Sequence, residues 1–193
     1  TSLDEFSPYS SPSSILGNRY LVDIEKLTKY ENIDIVSPQF SNDYVQYKEV
    51  YKFKDDIFKN VSKNINLQDK IFTSFLDDDL LRKHITFLIL KDLNQKTWNE
   101  WENIYQEYSD DLFDKLITEN AELVNFHVLT QYEFFNQWES LKKYANDKNV
   151  KILGDIPIYV NHDSADVWLN KKMFELDETG NMELVSGAVP DSF

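Results

Sequence analysis

Between Pro38 and Gly154 the chain contains neither proline nor glycine. Proline costs about 3 kcal/mol and glycine about 1 kcal/mol inside a helix, so so long an interval without either is a property of long helices. The apolar spacing predicts helices over 46–62, 67–92, 97–107 and 109–149, the last with a break around 117–120. Its apolar face is marked by Val124, Val128, Tyr132, Phe135, Trp138, Leu141 and Ala145, at steps of three or four. Phe126, Phe134 and Tyr144 broaden that face. Lys142, Lys143 and Lys148 fall in the last turns, where the helix dipole favours cations.

The flanks have a different texture. Residues 1–19 read as loop, dense in Ser and Pro from Ser7 to Ser14 and carrying the turn pair Gly17-Asn18. Tyr20 to Ile24 reads as a short strand, Leu27 to Tyr30 as one helical turn, and Ser37-Pro38 as a break. Beyond the helical stretch, Ile152-Leu153 form an apolar run that stops at Gly154 and delivers a carboxylate, Asp155. A second β-prone run, Ile156 to Val160, precedes the polar cluster Asn161 to Ser164, in which Asp163 is the expected N-cap of a new helix. Phe174 to Val185, with Gly180 in its centre, alternates like a β-hairpin. Strand, long helical insert, strand and hairpin together predict an α/β fold, the helix-then-strand order over 120–160 fitting a βαβ crossover. An acid delivered at the end of a buried strand is how parallel barrels equip their working face.

Composition narrows the partners. A net charge of −14 argues against nucleic acid, whose phosphates require clustered Lys and Arg, and against anionic membrane surfaces. Without cysteine, disulfides, zinc-thiolate sites and thiol nucleophiles are excluded. No apolar run approaches the roughly 18 residues of a membrane span, and no signal peptide is visible in a chain that begins at Thr1. Both ends read as cut, Phe193 falling inside a loop pattern, and the expected compartment is cytoplasmic. The 15% of aromatic residues serves either as core mass or as stacking platforms for sugars.

Other conspicuous residues have plainer readings. No His or acid cluster has metal-ligand spacing. Asp77-Asp78-Asp79 lacks the Gly and downstream Glu of a calcium loop and reads as a solvated helix end. Trp98 and Trp101, three apart, read as core; His127 reads as a hydrogen-bonded core histidine and His84 as ordinary helix.

Five blocks in order carry a family resemblance: Ser7-Pro8-Tyr9 with Gly17-Asn18 and Leu21-Val22-Asp23; Tyr44 to Lys52; Phe126 to Trp138; Gly154 to Val160 with Asp163 to Trp168; and Phe174 to Asn181 leading to Gly187 to Phe193. They resemble the amylomaltases, the 4-α-glucanotransferases of glycoside hydrolase family 77, with residues 55–115 matching least. The resemblance implies a partial (β/α)₈ TIM barrel with a large α-helical insertion subdomain. Residues 1–40 would be a barrel segment, 41–117 the helical insertion, and 118–193 a second barrel segment ending in a substrate-covering loop. It implies transfer of α-1,4-glucan segments between malto-oligosaccharides by retaining double displacement, without a cofactor or metal. Tyr9, Ser7, Asp155 and Asp191 match substrate-contacting positions. Around Asp191 the pattern departs from the family, Val189 standing for a proline and Ser192 for a tyrosine. Nothing matches the family's nucleophile, acid/base or transition-state-stabilising carboxylates, which are expected downstream, so none is assigned here. Asn161-His162 is similar to a motif of the related α-amylases, but its spacing from Asp155 is wrong and His162 reads as loop or cap. The alternatives are a non-catalytic carbohydrate-binding or interaction fragment, and a related glycosidase that hydrolyses.

Overall fold

The computed structural model describes residues 10–30, 35–155 and 158–184. Six α-helices carry the architecture: α1 (Tyr47–Ser62), α2 (Lys70–Leu76), α3 (Asp79–Asn94), α4 (Asp110–Glu119), α5 (Ala121–Asp147) and α6 (Ala165–Leu169). Short 3-10 turns at Arg19–Leu21, Ile24–Lys29, Trp98–Glu100, Asn103–Tyr105 and Lys171–Met173 connect them.

The spine is α5, 27 residues and so about 40 Å long. Helices α1, α2, α3 and α4 all pack on it. Phe58 of α1 meets Phe126 edge to face at 6.4 Å, and Phe72 and Phe75 of α2 meet Tyr132 at 5.3 and 5.7 Å. Val124, Val128 and Leu129 are fully buried at the centre. The predicted stripe holds through this half only: Tyr132, Phe135 and Trp138 are half-buried, and Leu141 and Tyr144 are exposed. Helix α3 buries His84, Ile85, Thr86, Phe87, Ile89 and Leu90, nearly its full circumference, because it lies between α5 on one side and α6 on the other. Phe87 there packs on Trp101 at 5.3 Å and on Trp168 of α6 at 5.7 Å, so Trp98 and Trp101 are core, as expected.

Local chemistry sets the helix ends. The Asp78 carboxylate accepts from the Leu80 and Leu81 amides at 3.0 and 3.1 Å, and Ser109 Oγ accepts from Leu112 N at 3.1 Å. The Asp78 cap splits the expected 67–92 helix into α2 and α3, and the aspartate triplet is a helix start with Asp79 paired to Arg82 and Lys83. Asn120, at φ −136°, separates α4 from α5. The expected 97–107 helix is instead two 3-10 turns, with Gln106 Nε2 held by the Trp101 carbonyl at 2.9 Å.

The strand expectations are corrected. Tyr20 to Ile24 spans two 3-10 turns. Asn18 Oδ1 accepts from Tyr20 N at 3.0 Å, Asp23 Oδ1 accepts from Glu25 N at 3.1 Å, and Lys54 Nζ takes the carbonyls of Tyr20 and Val22 at 2.7 and 2.9 Å. Side chains and local main-chain bonds, Leu21 N to Asn18 O and Val22 N to Arg19 O, rather than a neighbouring strand, satisfy this backbone. Ile152-Leu153 and residues 158–160 have no ladder partner among the described residues; the first pair is irregular and Ile158-Tyr159 form a bend, with Leu153 98% and Ile158 88% exposed. Ile156 and Pro157 lie outside the described residues. The hairpin survives as a single antiparallel bridge, Leu176 to Met182, closed by Asp177 N to Asn181 O at 2.8 Å and Glu183 N to Glu175 O at 3.0 Å. Gly180, at φ +81°, makes its turn, and a Cβ there would lie 2.8 Å from the Trp98 indole. Among the described residues the protein is therefore helical, with one isolated bridge where an α/β pattern was expected.

Candidate substrate-binding loops

Asp155 is exposed, immediately after a Gly154 whose surroundings are open. The loop behind it is firmly held. Asp163 does not cap α6; Ser164 does, its Oγ accepting from Val167 N at 3.4 Å. Asp163 is instead claimed by Lys91 of α3, through an ion pair to Oδ2, and by Trp98 N, 3.3 Å from Oδ1. His162 takes the expected loop role: its carbonyl accepts from Trp98 Nε1 at 2.8 Å and its Nε2–H donates to the Gly180 carbonyl at 2.8 Å. Beside it, Thr97, Asn99, Glu100, His162, Thr179 and Asn181 line a polar cleft of about 360 Å³.

The N-terminal loop closes on the same helix. Ala165 N donates to the Pro12 carbonyl at 2.9 Å. Ser14 donates to Asp166 through its backbone N at 2.9 Å and through its hydroxyl. Ser13 Oγ sits 2.8 Å from His84 Nδ1 on α3, both groups buried. Gly17 and Gln131 of α5 exchange two hydrogen bonds, at 2.9 and 3.0 Å. Burial pushes the His84 imidazole below its ordinary range, with the Asp166 charge opposing.

Two sequence-distant loops, one directly after Ser7 to Tyr9 and one directly after Asp155, thus meet at the start of α6. Ser7, Tyr9 and Asp191 themselves lie outside the described residues. Among the described residues no group of three or more His, Asp or Glu side chains could hold a metal ion. His127 is a buried core histidine, its Nε2 2.9 Å from Asp92. His84, read as ordinary helix, is a loop anchor; the available cue was a titratable ring among the apolar residues of α3.

The family model for 4-alpha-glucanotransferase, glycoside hydrolase family 77, matches residues 1–193, and the chain belongs to that family. It is 36% identical over 197 residues to the 4-alpha-glucanotransferase of Clostridium butyricum, covering 97% of this chain and 40% of that relative. With the 4-alpha-glucanotransferase of Thermus thermophilus it shares 32% over 195 residues, covering 97% and 39%. Its fold is similar to the amylomaltase from Streptococcus agalactiae solved in complex with acarbose, with TM-score 0.74, 30% identity, and coverage of 90% of this chain and 37% of that one. The chain spans about 40% of the length of the curated relatives it matches.

Proposed function

We propose that the enzyme carrying this chain transfers α-1,4-glucan segments between malto-oligosaccharides, and that the chain supplies walls of the sugar site. The observation that carries this reading is the meeting of the two loops at α6: segments 152 residues apart, Ser14 and Asp166, are bonded to each other. The resemblance assigns Ser7 and Tyr9 to the sugar site just upstream of one loop and Asp155 just upstream of the other. In this reading Tyr9 stacks on a pyranose, Ser7 and Asp191 add polar contacts, and Asp155 accepts hydrogen bonds from glucose hydroxyls. Residues 1–40 and 118–193 belong to a (β/α)₈ barrel, 41–117 to a helical insertion. The exposed Leu153 and Ile158 support this: a barrel strand shows such a surface until neighbouring strands cover it. Location in the cytoplasm accords with the absence of cysteine. Among the described residues no helix is long and apolar enough to cross a membrane.

Retaining transfer needs two carboxyl groups about 5–5.5 Å apart, one attacking the anomeric carbon and one protonating the leaving oxygen. These belong to the part of the enzyme that the chain does not match. A sugar hydroxyl rather than water then takes the glucosyl unit, which requires loops that exclude water.

The test is maltotriose disproportionation by the whole enzyme. Asp155→Asn is expected to lower kcat/KM roughly 10–100-fold, the value of a hydrogen bond to a charged group, with the melting temperature unchanged. A wild-type rate in that variant refutes the role of Asp155. Sugar binding by the wild-type enzyme without transfer would favour the non-catalytic carbohydrate-binding reading.

A further inference from the structure

We infer that His84 is a positioning residue for the sugar-contact loop, acting through Ser13; this rests on the function proposed above. The atoms leave little choice. Ser13 Oγ accepts from the Ile15 and Leu16 amides at 3.1 and 3.0 Å, which occupies its lone pairs. Its single proton is left for His84 Nδ1, at 2.8 Å. Nδ1 is therefore the bare nitrogen and His84 is neutral, in keeping with the downward pull of burial on its basicity. Ser13 is 3% and His84 1% exposed, so water cannot replace either partner.

The same loop is bonded at three consecutive residues. Pro12 and Ser14 attach to α6, and Ser13 alone of the three attaches to α3. Gly17, further along, is held by Gln131 of α5, so within Pro12 to Ser14 the Ser13 bond is what adds a second helix and limits pivoting about α6. Tyr9 lies four residues before Ser13, a fully extended reach of roughly 13–14 Å. The direction in which the chain leaves the anchor thus restricts where a ring at position 9 can meet a sugar. A buried polar pair adds little net stability, so its value here is directional.

The experiment compares wild type, His84→Leu, His84→Asn and Ser13→Ala in the whole enzyme, at a temperature where circular dichroism shows each fully folded. Asn places a carbonyl oxygen near the Nδ1 position and can accept the Ser13 proton. His84→Leu is expected to raise KM for maltotriose about 5–10-fold, with kcat changed less, Ser13→Ala to raise it at least as much, and the double variant to be no worse than Ser13→Ala alone. His84→Asn is expected to return KM to within about 2-fold of wild type. Ser13→Ala also removes the acceptor of the Ile15 and Leu16 amides, so the comparison of His84→Leu with His84→Asn, which leaves Ser13 in place, carries the test, and His84→Ala replaces His84→Leu if that variant fails to fold. An active wild type with unchanged KM in the folded variants, or an Asn variant as impaired as Leu, overturns the role of His84 alone. A wild type without any transfer overturns the proposed function and this inference with it.

Discussion

The Asp177 carboxylate organises the hairpin turn almost alone. One oxygen, Oδ1, accepts from Thr179 Oγ1 at 2.7 Å, Thr179 N at 2.8 Å and Asn181 N at 2.9 Å. The Thr179 hydroxyl, followed by the Asn181 amide, holds this carboxyl below the usual carboxylate range. A depressed folded pKa contributes stability that is complete above the unfolded value, near 3.9, and is lost as pH falls through the folded value. Local protection of the Thr179 and Asn181 amides in hydrogen exchange, corrected for intrinsic rates, should therefore hold at neutral pH and fall as pH drops below about 4. Asp177→Ala should show weak protection at every pH; protection equal to wild type would contradict this account.

Among the elements, the seam between the N-terminal loop and α5 leaves no room beside Gly17. A Cβ on Gly17 would lie 1.9 Å from the Phe134 ring, so Gly17→Ala must displace that ring or the loop. Overpacking of this kind costs about 1–3 kcal/mol, and thermal unfolding should register it as a lower melting temperature. A wild-type melting temperature would mean that the loop does not dock there. Helix boundaries were legible because their causes are local: α1 was expected over 46–62 and spans Tyr47–Ser62, and Asn120 falls at the expected break. Whatever depends on distant partners was not. Asp163 and Ser164 are both competent caps, and Lys91 and the Trp98 amide, 72 and 65 residues away, take Asp163 out of the competition. Tyr20 to Ile24 has the composition of a strand, yet Lys54 takes its carbonyls. In the candidate site the acid after Gly154 was legible, whereas the Ser13–His84 bond spans 71 residues and left no local pattern.

For the whole molecule, apolar exposure and charge act against each other. Leu153, Ile158 and Tyr159 are large apolar side chains exposed to solvent, while a net charge of −14 keeps molecules apart. Salt screens the repulsion without covering these side chains. The isolated polypeptide should therefore self-associate more strongly as ionic strength rises, in sedimentation velocity runs, and Leu153→Lys with Ile158→Lys should suppress this. Persistence of the association in the double variant would place the sticky surface elsewhere.

The main-chain bond from Ala165 to Pro12 joins residues 153 positions apart. During synthesis, at about 5–20 residues per second, the Pro12 carbonyl is made roughly 8–30 s before its partner amide. The attachment of the Pro12 loop to α6 is thus among the last of these contacts that can form. Until then only α3 and α5, through Ser13 and Gly17, can hold that loop, and newly made molecules complete its attachment only near the close of this stretch of translation.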